Sequence, residues 1–122
     1  MKLYVAGPIS ANYLLDALEH IRHGINVARL LIMQGHEVFC PHLDFLYALQ
    51  CGETGTVDEE DLKRNSMSFV TDWAEALYVL DGWEKSRGTK AEIEKAKEKG
   101  LPIFYGPTDL REYRRQNVSS VA

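Results

Sequence analysis

The sequence predicts one α/β domain built on a parallel sheet, and three observations carry that prediction. Short apolar runs at 3–6, 37–40, 76–80 and 102–105 alternate with longer stretches whose apolar residues recur at three- and four-residue steps. The short runs lack strict apolar–polar alternation, as expected for strands covered on both faces. Each run also ends in a chain-turning signal: Gly7-Pro8, Pro41, Asp81-Gly82 or Gly106-Pro107. Strands that alternate with helices imply right-handed crossovers and a parallel sheet. The expected fold is therefore a flavodoxin/Rossmann-like doubly wound sheet of about four or five strands in the order 2-1-3-4.

Taken in order, the first strand opens into a turn at 7–12, where Ser10 or Asn12 offers an N-cap. Leu14, Leu15, Leu18, Ile21, Ile25, Ala28 and Leu31 or Met33 then mark a long amphipathic helix, which Gly35 ends. Gly24 inside it costs ~1 kcal/mol relative to alanine, so a close packing contact is its expected reason. After the second strand, residues 44–50 suggest a short helical turn. Residues 51–55 carry two glycines and no periodicity, so a mobile loop is expected. Asp58, Glu59, Glu60 and Asp61 crowd the start of a second helix, where carboxylates suit the helix dipole. A third helix spans 89–99, with Ala91, Ile93 and Ala96 expected to face the sheet. A short last helix from Thr108 or Asp109 ends near Arg115. The domain is thus 1–115, with a polar tail at 116–122.

Composition narrows the function classes. At 122 residues the chain makes one domain, and its formal charge of -4 argues against broad nucleic-acid binding. Nothing in the placement of Cys40 and Cys51 suggests a disulfide framework, so a reducing cytoplasm is expected. No apolar run approaches the ~18 residues of a membrane span, and the chain enters a strand pattern directly, without a signal peptide. Cys40, His42 and Cys51 lack ligand-pair spacing, so neither a metal nor a cofactor is expected. His20 and His23 read as surface or interface residues away from the strand ends.

Ligands of doubly wound sheets bind outside the C-terminal strand ends, at the switch point between strands one and three. The loops that converge there are 7–12 and 81–88. Ser86, Arg87, Gly88 and Thr89 precede a helix start, where free N–H groups, a hydroxyl and the dipole suit a phosphate or carboxylate. Thr89 and Glu92 have capping-box spacing, which accounts for Glu92 without any chemistry. The same spacing could aim the Glu92 carboxylate into the crevice, ionised by the helix terminus and ready to act as a nucleophile. Spacing alone leaves both readings open. His42 borders the crevice, and Trp83 could stack on a base, anchor a lid or meet a partner.

These residues resemble the superfamily of nucleoside 2-deoxyribosyltransferases and 2'-deoxynucleoside 5'-phosphate N-hydrolases, most closely its short uncharacterised branch. The resemblance spans about residues 2–106. Its motifs are Tyr4 with Gly7-Pro8-Ile9-Ser10, then Pro41-His42-Leu43, then Gly82-Trp83-Glu84-x-Ser86-x-Gly88-Thr89-x-x-Glu92. It implies that Glu92 attacks C1' of a deoxyribonucleoside or its 5'-monophosphate and expels the base, with Tyr4 orienting the nucleophile. Ser86 and the 7–10 turn would hold the phosphate, and His42 would lie near the substrate. Gly88 and Trp83 complete the implied substrate-binding set. The family commonly has an aspartate on the second helix where this sequence has Met67 or Ser68. Asp72, one turn on, is the available replacement, and Glu75 aligns with a further aspartate. The implied partners are a nucleoside or nucleotide and further copies of the chain, in a homodimer or higher oligomer. Two other functions fit the sequence: a non-catalytic nucleotide-binding module, and an interaction protein using the Trp83 loop and the acidic 58–61 stretch.

Overall fold

The computed structural model describes residues 1–50 and 57–121. The predicted loop at 51–55, with Cys51, lies outside the described residues. The elements are β1 (Lys2–Ala6), α1 (Leu14–Met33), β2 (Glu37–Phe39), a 3-10 segment (Pro41–Gln50), α2 (Glu59–Asp72), β3 (Ala76–Val79), a 3-10 turn (Trp83–Lys85), α3 (Arg87–Glu98), β4 (Ile103–Phe104) and α4 (Pro107–Val121). The sheet has four strands in the order β2-β1-β3-β4, and every pairing is parallel. The doubly wound fold expected from the sequence is therefore the fold observed. No helix among the described residues is long and apolar enough to cross a membrane.

The sheet divides the core into two layers by the period-two rule. Leu3 and Val5 of β1 point to one face, where they pack with Ala28 and Leu31 of α1 and Leu110 of α4. Tyr4 and Ala6 point to the other, against Val70 of α2 and Ile93 and Ala96 of α3. This alternation was invisible as a polarity pattern, because both faces of β1 are buried. It fixes Tyr4 on the side of α2 and α3. A run of rings then holds Tyr4 in place: Tyr4 on Phe39 at 5.5 Å, Phe39 on Phe69 at 3.9 Å and Phe69 against Trp73 at 5.8 Å between centroids.

Several local expectations need correction. Neither Ser10 nor Asn12 caps α1; Tyr13 stands at the N-cap and makes no side-chain capping bond. Ala91 is exposed, and the buried residues of α3 are Thr89, Ile93 and Ala96, because these three share one helix face while Ala91, two positions before Ile93, lies on the opposite side. α4 does not stop near Arg115 but continues through Val121. The acidic start of α2 is as expected: Asp58 caps it, and Asp58 and Asp61 exchange bonds in a capping box.

Gly24 does have a packing reason. A Cβ there would lie 2.3 Å from the His42 ring. The missing side chain lets α1 close over a histidine that has no exposed surface at all. Gly24→Ala is expected to cost about 1–3 kcal/mol through this overlap, despite a helix-propensity gain of ~1 kcal/mol. Chemical denaturation reads the loss. With His42→Ala already in place, the same substitution should become stabilising; an equal loss in both backgrounds would refute the contact as its cause.

Candidate active site

The site begins where β1 and β3 end. Leu80 donates its N–H to the Ala6 carbonyl at 2.8 Å, carrying the strand pairing one step past β3. Gly7 then crosses directly over Leu80, where a Cβ would come within 2.7 Å of the leucine side chain. Gly82 faces the Pro8 ring from the other loop. The 7–10 turn and the loop after β3 therefore meet, as the strand order demands at a switch point.

His42 supports this turn from beneath. Its Nε2 lies 3.2 Å from the Pro8 carbonyl and its Nδ1 lies 3.7 Å from Cys40 Sγ. A carbonyl accepts only, so Nε2 carries the proton, and Nδ1 accepts from the thiol. Burial above all, with the nearby charges of His23 and His20 adding to it, pushes the His42 pKa down to about 4, against a raising bond to Pro8. Burial likewise pushes the Cys40 thiol up to about 11, so it stays protonated and can donate. His42 is thus neutral and fully enclosed; in this structure it shapes the Pro8 turn rather than facing the crevice. His23 is exposed and His20 partly so, as surface residues would be. Both nevertheless stand close enough to the end of β2 to act on His42, on the half of α1 where Gly24 packs against its ring.

Ser86 sets the start of α3. Its Oγ accepts from the Thr89 N–H at 3.2 Å and from the Thr89 hydroxyl at 2.8 Å. The cap is therefore Ser86, not Thr89, and the predicted capping box of Thr89 with Glu92 does not form. Both acceptor positions of Ser86 are taken, which leaves its own O–H to donate elsewhere. The N–H groups of the first turn have no helical partners by construction. Nothing lies within 4 Å of a Cβ built on the exposed Gly88, so the helix start is open to an anion.

Released from capping, Glu92 in the second turn of α3 turns to the sheet and accepts a hydrogen bond from the Tyr4 hydroxyl at Oε2. Tyr4 is wholly buried, while Glu92 keeps a partly exposed surface. Burial pushes the Glu92 carboxyl up to about 7, against the lowering effect of the Tyr4 bond. This reverses the expectation that the helix terminus keeps Glu92 ionised; desolvation outweighs the dipole here. Burial, then the Glu92 charge, raises the Tyr4 pKa well above its ordinary value, so the phenol remains a donor.

Two residues missed in the sequence extend this pair. Ser66 of α2 lies near enough to Tyr4 to lower its pKa against the larger raising effects, and its hydroxyl donates to Asp44 Oδ2 of the 3-10 segment at 3.4 Å. Asp44 is partly buried, and that burial raises its pKa. No local motif marks either residue; only the fold brings them to Tyr4. Asp72 does not join the group. It ends α2 in an exposed position, three residues before Glu75, whose N–H donates to the Lys2 carbonyl at 2.8 Å. α2 runs against the strands, so its last turn lies at their N-terminal ends, opposite the crevice. Glu75 accepts from the Lys2 N–H at 2.7 Å and pins that far edge. Met67 is partly buried among the apolar residues under α2 and α3. Of the remaining predicted residues, Ile9 is partly buried and Ser10 exposed, while Trp83 packs on the same apolar layer and meets the Tyr105 ring at 5.5 Å. Among the described residues, no three His, Cys, Asp or Glu side chains group as metal ligands would.

A family profile, Domain of unknown function (DUF4406), matches residues 1–105. The chain belongs to that family. The match takes in β1 through β4 and so contains every residue of the Tyr4–Glu92 site. A search of curated proteins finds no match.

Glu92 and His42 load the fold with opposite pH dependences. The Glu92 pKa is raised on folding, so its contribution is fully present below the ordinary value of 4.5 and is lost as pH rises through about 7. The His42 pKa is depressed, so its contribution is present above 6.5 and is lost as pH falls through about 4. Glu92→Gln removes only the first. Thermal melts across pH should show this variant more stable than the parent at pH values above about 7, with the gap closing toward acid. A gap that is constant with pH would contradict the buried environment of Glu92.

Proposed function

We propose that this domain cleaves the N-glycosidic bond of a deoxynucleoside or its 5'-monophosphate through a glycosyl-enzyme on Glu92. The observation that carries the proposal is the Tyr4–Glu92 pair: a partly exposed carboxylate, oriented by a buried phenol, at the switch-point crevice. The open start of α3, with the Ser86 hydroxyl beside it, supports a phosphate or other anion held next to that carboxylate. The resemblance to the nucleoside 2-deoxyribosyltransferases and their N-hydrolase relatives supplies the substrate class.

In the first step the ionised Glu92 oxygen forms a bond to C1' as the C1'–N bond breaks. The electron pair of that bond leaves with the base, which takes up a proton. In the second step water or another base displaces Glu92 from C1' and regenerates the carboxylate. Splitting one displacement into two is the logic of retaining glycosidases. The proton that the departing base takes up is matched by the one that water or the incoming base gives up, so the two steps together consume only the substrate and the acceptor. Tyr4 holds one Glu92 oxygen and leaves the other to attack.

Incubation with a panel of deoxynucleosides and their monophosphates, with chromatography for free base, tests this reading. Glu92→Ala should lower base release by at least about 10³-fold, and Tyr4→Phe by about 10–100-fold. The acid limb of kcat/KM should fall near pH 7, because Glu92 must lose its proton and its pKa lies at about 7. Release that survives Glu92→Ala removes the assignment. A non-catalytic nucleotide-binding module is the second reading, favoured by the apolar Met67 where the related enzymes have an aspartate. Binding of a nucleotide without base release would select it.

We also assign a homodimer, acting in the cytoplasm, to this chain. Its support is the apolar start of α1, where Leu14 and Leu15 are 74% and 75% exposed. Sedimentation velocity should show a dimer that Leu15→Glu converts to monomer; a parent chain already monomeric at micromolar concentration would remove the assignment.

A further inference from the structure

α1 is apolar over more of its surface than its own chain covers. Gly24, Ala28 and Leu31 are its buried residues. Along the edge of that buried side runs a second stripe, made of Leu14, Leu18, Ile21, Ile25, Ala28 and Ile32. Leu14, Leu18 and Ile32 are 74%, 44% and 56% exposed, and Ile21 and Ile25 are partly buried. The steps along the stripe are four, three, four, three and four residues. That is the spacing of a helix that packs along its length against another helix.

The order of those steps reads the same from either end. Position 14 mirrors 32, 18 mirrors 28 and 21 mirrors 25, all about position 23. A two-fold axis at position 23 exchanges the members of each pair, so the stripe matches a second copy of itself laid antiparallel. Shape agrees with spacing. Leu14 protrudes at one end of the stripe. At the other end, Ile25, Ala28, Arg29, Ile32, Met33 and Leu43 line an open groove of about 240 Å³. Arg29 turns its guanidinium to Asn26 and to the Met33 sulfur, which leaves the groove apolar.

We propose that two copies of this chain pair through α1, antiparallel, with Leu14 of each copy seated in the other's groove beside Ile32 and Leu43. This rests on the homodimer assigned above and gives it a surface and a direction. The seam from 14 to 32 is about 27 Å long. With Leu15, Met33 and Leu43, it exposes on the order of 700 Å² of largely apolar surface, near the ~800 Å² that each partner of a standard interface buries. Charge does not oppose the pairing at its centre. Arg22, beside the axis position, is ion-paired with Glu19 of its own helix at 3.3 Å. The pairing also relates the two crevices. α1 follows β1 from the crevice end of the sheet and runs back to the start of β2. Antiparallel helices therefore put the two crevices at opposite ends of the dimer, not face to face.

Opposite charges placed at mirrored positions test the pairing. Leu14→Glu and Ile32→Lys alter exposed side chains, so circular dichroism should show both variants folded. Should Ile32→Lys not fold, Met33→Lys, at a position 71% exposed, replaces it. A two-fold interface feels each substitution twice, so each variant alone should dimerise about 100-fold or more weakly than the parent. Sedimentation velocity at micromolar concentration should then show a dimeric parent and two monomeric variants. Mixed in equal amounts, the two variants should form dimers again. In the mixed pair Glu at 14 of one copy meets Lys at 32 of the other, and the second contact keeps its parental leucine and isoleucine. A chain carrying both substitutions should dimerise for the same reason. If the parent is dimeric and neither single variant weakens it, the pairing through α1 is overturned and the homodimer stands. Single variants that turn monomeric but do not recombine on mixing overturn the antiparallel arrangement. A monomeric parent removes the homodimer and this pairing together.

Discussion

The structure depends on a single conflict: a tyrosine hydroxyl placed in the middle of a sealed sheet. β1 is buried on both faces, so the Tyr4 side chain has no route to water. A phenol in that position needs a partner, or the fold loses the hydrogen bond it had in water. Glu92 supplies the partner and inherits the same conflict, because the carboxylate is now also desolvated. The polar contacts on the α2 and α3 side follow from there. Ser66 and Asp44 pair with each other nearby, and the ring stack of Phe39, Phe69 and Trp73 fixes the plane in which the phenol points. An apolar residue at position 4 would make a simpler core and leave the crevice without an oriented carboxylate.

The opposite face solves a related conflict differently. His42 is also enclosed, but its partners are a backbone carbonyl and a thiol, and it stays neutral. One face of β1 thus carries a phenol bonded to an ionisable carboxyl and the other a fixed neutral prop. Both meet the same short segment, since Tyr4 lies within β1 and the Pro8 turn follows it directly. The crevice floor is therefore set from two sides by groups that respond to acid in opposite senses.

How much of this was legible in the sequence depended on range. The strands, their order and the convergence of the two loops were readable, because apolar runs and turn residues act locally and the parallel order then follows from crossover geometry. Glu92 and Tyr4 were readable as candidates through the motif that contains them. Their contact was not, since it spans 88 positions and depends on which face of β1 each residue takes. The helix start was misread by three residues because Ser86 and Thr89 are both good caps, and only the geometry shows which hydroxyl receives the N–H. Asp44 and Ser66 carried no local signal at all. Asp72 was plausible in linear distance and excluded by direction, as α2 carries its last turn to the far end of the sheet.

The two tryptophans stand at opposite ends of that sheet. Trp83 follows β3 at the crevice, against Tyr105, while Trp73 closes α2 at the N-terminal edge, against Phe69. Intrinsic fluorescence is therefore divided by position in this chain. A ligand entering the crevice alters the surroundings of one indole and leaves the other as an internal standard. The molecule thus carries its own optical readout of which end of the sheet has been engaged.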